Sequence, residues 1–97
     1  MMPDIVLMVG NDEIDRINFG VVPVDSEAVI ELDVFNKGKN KLLDINVKAM
    51  HEDIKVDEYP KELDVGEKKR MVLKYKPKVQ LDKGVNSEIL ITGGYIV

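Results

Sequence analysis

Two stretches of this chain alternate apolar and polar residues with a period of two, a pattern that suits strands and not helices. In the first, Ala28, Ile30, Leu32 and Val34 are apolar, with the charged Glu31 and Asp33 between them. In the second, Leu43, Ile45, Val47 and Ala49 alternate with Asp44, Asn46 and Lys48. Successive side chains of a strand point to opposite faces, so each stretch reads as a half-buried strand lying on a core. The segment between them, Asn36-Lys37-Gly38-Lys39-Asn40, holds residues that accept the positive φ of a tight turn. The expected arrangement is a hairpin with Gly38 in the left-handed region.

The rest of the chain repeats the signal in shorter pieces. Ile54 to Tyr59 is a strand closed by Pro60, and Asp64-Val65-Gly66-Glu67 is a turn with Gly66 at positive φ. Met71, Leu73 and Tyr75 alternate with Val72, Lys74 and Lys76 up to Pro77, and residues 78–86 form a longer connection. The final strand runs from about Val85 to Thr92 and stops at Gly93-Gly94. Toward the start, Asp15 to Gly20 is a short strand, preceded by the apolar run Ile5 to Val9 and the turn-forming Gly10-Asn11-Asp12. No segment sustains apolar residues at helical spacing. About seven short strands with turns every ~8–12 residues predict an all-β fold, an immunoglobulin-like β-sandwich. Residues 14–97 form the domain, and residues 1–13 are an apolar segment and turn ahead of it.

Size and charge restrict the function classes. A chain of 97 residues has room for one modest core, and a deep catalytic cavity would compete with that core for apolar side chains. The net charge is −4, with Lys and Arg interspersed among Asp and Glu, which argues against a nucleic-acid partner. The absence of cysteine excludes disulfides, thiolate nucleophiles and sulfur metal sites. No apolar run approaches the ~18 residues that span a bilayer, and the start lacks the basic region of a signal peptide. The expected location is the cytoplasm or a virion assembled there, without membrane insertion.

Residue types that carry chemistry are sparse. His51 is the one histidine, and no glycine-framed nucleophile accompanies it. The acidic groups at Asp12, Glu13 and Asp15, at Glu52 and Asp53, and at Asp57 and Glu58 lack the spacing of a calcium loop. No catalytic residue, cofactor or metal is expected. Lys68, Lys69, Lys74, Lys76 and Lys78 lie in one region and read as a charged sheet face rather than a phosphopeptide site. Sugar binding needs exposed aromatic platforms. With Phe19, Phe35 and Tyr75 assigned to the core, only Tyr59 and Tyr95 remain for it.

Taken in order, several of these segments resemble a family. Ile17-Asn18-Phe19-Gly20-Val21-Val22 followed by Ser26, then Leu32-Asp33-Val34-Phe35-Asn36-Lys37-Gly38, are similar to the opening of the ASH and major-sperm-protein-like domains. Leu43-Asp44-Ile45, Leu63-Asp64-Val65-Gly66-Glu67, Val72-Leu73-Lys74-Tyr75-Lys76-Pro77 and Ile89-Leu90-Ile91-Thr92-Gly93 fit the later strands and turn in sequence. The resemblance covers residues 14 to about 94. It departs at Val65, where the family has Pro, and at Tyr75, where Phe is commoner. It implies an immunoglobulin-like fold and a non-enzymatic interaction module.

The function expected is that of a structural or assembly protein, a lone domain docking onto a larger assembly, most specifically a virion capsid decoration or tail accessory protein. The alternative is a cellular protein-interaction adaptor, and a carbohydrate-binding module is the third reading. The partner is a protein or a second copy in a symmetric assembly. The candidate docking residues are Ile5, Val6, Leu7, Met8 and Val9 at one end and Tyr95, Ile96 and Val97 at the other. Each apolar terminus either adds a strand to the domain's own sheets or pairs with a neighbour. Residues 1–9 are expected to serve assembly more than folding.

Overall fold

A computed structural model describes residues 5–79 and 86–95. Among these residues the structure is strand and turn, with no helix, arranged as two packed layers. The strands are β1 (Ile5–Val9), β2 (Asp12–Ile14), β3 (Ile17–Asn18), β4 (Ala28–Asn36), β5 (Leu42–Ala49), β6 (Ile54–Glu58), β7 (Lys68–Tyr75), β8 (Asn86–Ser87) and β9 (Ile89–Tyr95). There are nine rather than about seven because β2, β3 and β8 are short pieces, and β8 is parted from β9 by Glu88 alone.

One layer is a five-stranded antiparallel sheet in the order β2-β1-β4-β7-β6. The other is built from the pairs β5-β9 and β3-β8. The strands 28–36 and 42–49 therefore do not form the hairpin expected from their patterns. β4 pairs with β1 and β7, β5 pairs with β9, and the five residues between them carry the chain across the sandwich. Gly38 is not among the residues at positive φ.

The period of two does place β4 as expected. Leu32 and Val34 are buried, while Glu31 faces out. On β5 the inward residues are Leu42, Ile45 and Val47, and Leu43 is only half-buried. The phase changes because Leu43 pairs with Gly94 but Asn46 pairs with Thr92, so Asp44 and Ile45 together oppose one residue. Asp44 takes φ 53°, and this bulge turns Ile45 back to the core. Gly93-Gly94 does not end the last strand, which continues to Tyr95. A Cβ at Gly93 would lie 3.0 Å from the Leu42 side chain, so glycine is what lets the fully buried Leu42 fit beneath it.

Asn36, the last residue of β4, is completely buried and fastens three segments. Its Nδ2 donates to the carbonyls of Asn40 at 3.0 Å and Leu63 at 3.1 Å, and its Oδ1 accepts from the Gly38 N–H at 3.0 Å. Its backbone accepts from the Gly66 N–H at 2.8 Å and donates to the Glu67 carbonyl at 3.1 Å. Gly66 has φ 76° at the third position of its turn, as a type II turn requires. Thus the loop after β4 is held by the Asn36 side chain and the turn before β7 by its backbone.

Among the aromatic residues, Tyr75 is 1% exposed and belongs to the core. Phe19 is half-buried and packs against it with ring centroids 5.1 Å apart and planes tilted by 46°, while Ile17 is 2% exposed. Phe35 is not in the core. It pairs with Val6 and Lys68 on the outer face of the five-stranded sheet, as its place one residue after the inward Val34 dictates. Removing a fully buried Phe costs about 3–5 kcal/mol, so the half-buried Phe19→Ala is expected to cost about 2 kcal/mol. Ile17→Ala should cost more, and urea midpoints of the two variants check the order.

Candidate functional site

The chemistry-bearing side chains singled out in the sequence fall into structural roles. His51 Nδ1 accepts the Asp53 N–H at 3.1 Å, and the His51 carbonyl accepts the Ile54 N–H at 3.2 Å, which closes the turn between β5 and β6. The imidazole packs edge-on against Tyr75 at 5.6 Å. Asp53 binds the Lys78 backbone N–H at 3.3 Å through Oδ2 and lies 3.7 Å from Lys78 Nζ through Oδ1. Burial raises the pKa of the Tyr75 hydroxyl above its usual value, and the charge of Asp53 adds in the same direction.

The basic residues of β7 are matched by acids on neighbouring strands. Arg70 meets Glu58 at 3.1 Å and Glu31 at 3.7 Å, Lys74 meets Asp57 at 3.5 Å, and Lys68 meets Asp33 at 4.0 Å. Lys69 lies 3.7 Å from Glu67. These are exposed pairs of small individual energy, but they leave no concentrated positive field on this face. Tyr59 is half-buried, with Lys61 Nζ 2.8 Å from its hydroxyl and 4.0 Å from its ring centroid, so a cation occupies the face a sugar would need. Among the described residues, no group of three His, Asp or Glu side chains converges to hold a metal.

The termini are placed differently from each other. Ile5–Val9 is not a free arm. β1 is hydrogen-bonded to β2 on one edge and to β4 on the other, and Leu7 is buried in the core. The set-apart segment of residues 1–13 is thus, from Ile5 onward, part of the sheet, with Leu7, Met8 and Val9 paired to β2 and Ile5 to Met8 paired to β4. Tyr95 ends β9, and Ile96 and Val97 lie outside the described residues.

What the structure adds is an open side of the sandwich. β3 pairs with β8 in the register Ile17↔Ser87 and Asn18↔Asn86. Continued backward along the chain, that register would set Asp15 against Ile89 and Glu13 against Ile91. Instead the chain leaves the layer at Asp15-Arg16, and Glu13 pairs with Met8 in the other sheet. The two strands diverge like a fork, and a groove of about 540 Å³ opens between them. Ile5, Leu7 and Ile14 line it from one layer and Ile89, Leu90 and Ile91 from the other, with Glu13 and Asp15 at its side. The Arg16–Glu88 pair at 3.9 Å lies where the fork begins.

Along this groove β9 is bonded to β5 on one edge only, among the described residues. Three other edge stretches are guarded. β2 is three residues long and two are acidic, and β6 carries Lys55, Asp57 and Glu58 with an irregular register before Pro60. The far edge of β5 is covered where Leu42 and Leu63 exchange two backbone bonds of 2.9 Å and the Ile45 N–H reaches the Lys61 carbonyl at 2.9 Å. β9 has seven residues, Ile-Leu-Ile-Thr-Gly-Gly-Tyr, with no charge and no proline. Sequence reasoning identified β9 as a strand but had no signal for its open edge, which depends on where the chain leaves β3.

Comparison with known proteins returns no match: no family model, no curated protein and no solved structure is similar to this chain.

Proposed function

We infer that this chain is a non-enzymatic assembly module, a single immunoglobulin-like domain that attaches to a larger protein structure. The observation that carries the reading is the edge of β9 left unpaired among the described residues, beside an apolar groove. An apolar strand edge left in water templates unwanted pairing, so a stable protein keeps one where a partner covers it. The resemblance of residues 14–94 to ASH and major-sperm-protein-like domains supports the same class, because those are interaction modules. Within it, a virion capsid decoration or tail accessory protein is the most specific form.

The test is sedimentation of the protein from its source, followed by electron microscopy of the particles that carry it after immunogold labelling. The expected result is co-sedimentation with a large particle and label at symmetry-related positions. Protein found only as free monomer in the supernatant would refute the assembly role.

A further inference from the structure

We propose that the free edge of β9 takes up an extended segment of a partner protein as an additional strand, apolar at alternate positions and basic at the end nearest Asp15. This rests on reading the chain as a docking module and specifies what it docks.

Main-chain bonding and side-chain burial point to the same occupant. The edge of β9, bare among the described residues, offers N–H and C=O groups that only another extended backbone satisfies in series. Its seven residues span about 23 Å, enough for a strand of ordinary length. The strand on that edge lies in the fork, where its inward side chains meet Ile14, Ile89 and Ile91. Alternate apolar residues fit because only one face of an added strand looks into the groove.

Charge selects the partner's sign and direction. The two charged groups lining the groove are both acidic. Glu13 is engaged by Lys37 at 3.7 Å, whereas Asp15 meets no cation among the described residues. A Lys or Arg at the fork end of the incoming strand completes Asp15. The same charges disfavour a second copy as occupant, since β9 carries no cation to offer and two acidic rims would be brought together.

The experiment uses the full chain and a synthetic peptide, Lys-Thr-Val-Thr-Ile-Thr-Val, with amide exchange followed by nuclear magnetic resonance. Binding is expected to slow exchange at alternate amides of β9 at least tenfold. Replacing the peptide lysine with glutamate should weaken binding at least tenfold on the unaltered protein, and Asp15→Lys should restore it for the glutamate peptide. Absence of binding, binding without protection in β9, or binding indifferent to the charge swap would each overturn the proposal. So would β9 amides already protected in the free protein, which would mean that another part of the chain covers the edge. Protection that rises with protein concentration alone would assign the edge to a second copy. Should Asp15→Lys still join the native particle in full while the peptide fails, the assembly role stands and this account of its partner falls.

Discussion

A chain that begins at Asn11 is expected to be largely unfolded, or to lose about 5 kcal/mol or more of stability. The deletion removes β1, which lies between β2 and β4, so β2 loses its one partner strand among the described residues and β4 is exposed along one edge. It also withdraws Leu7 from the core and Ile5 from its margin. Burial of an aliphatic side chain is worth ~1.5–3 kcal/mol, and total stability for a domain is ~5–15 kcal/mol, so the loss is of the same order as the whole. Thermal unfolding of the shortened and full chains decides the matter. Equal midpoints would mean that β1 is dispensable and that the apolar run serves docking after all.

Asn36→Ala should cost about 3 kcal/mol. The substitution abolishes the side-chain bonds of the fully buried Asn36, the buried one to the Leu63 carbonyl and the part-buried ones to the Asn40 carbonyl and the Gly38 N–H. The Leu63 carbonyl keeps its bond from the Leu42 N–H, so the cost comes from the three lost bonds, each worth ~1 kcal/mol net. Asn36→Asp should be similarly damaging, because it keeps an acceptor but loses both donors and adds a buried charge. Chemical denaturation of the variants measures this directly. A loss below that of the half-buried Phe19→Ala would show that the loops hold without their shared anchor.

Much of the fold could be read from the residues, and the failures have identifiable causes. The alternation through Leu32 and Val34 located β4 and its inward face because burial of one face leaves a period-two trace. The same alternation sets Phe35 outward, and assigning it to the core gave aromatic size more weight than its position. The pairing of β4 with β5 was misjudged because five polar residues can close a hairpin or cross between layers equally well. Only the long-range partners, β7 for one and β9 for the other, distinguish these outcomes. The bulge at Asp44 left no mark in the pattern, since Leu42 and Leu43 are both apolar and either can be buried. Asn36-Lys37-Gly38 stood out as a motif, yet its importance lies with Leu63, Gly66 and Glu67, distant in sequence. The open edge of β9 was invisible for the same reason: an edge is defined by the strands that are not beside it.

The placement of β4 also governs how fast the molecule can form. Its partners in β1 lie 25 to 31 residues earlier and those in β7 33 to 47 later, and the compact local pairs among the described strands are β1 with β2 and β6 with β7. Closing such long loops lowers chain entropy before any contact repays it, which places folding in the millisecond-to-second range of all-β domains. During that interval the central strand of the larger sheet has both edges bare. Newly made chains are most prone to associate wrongly then, and conditions that lengthen the interval should lower the yield of native protein even where its final stability is unchanged.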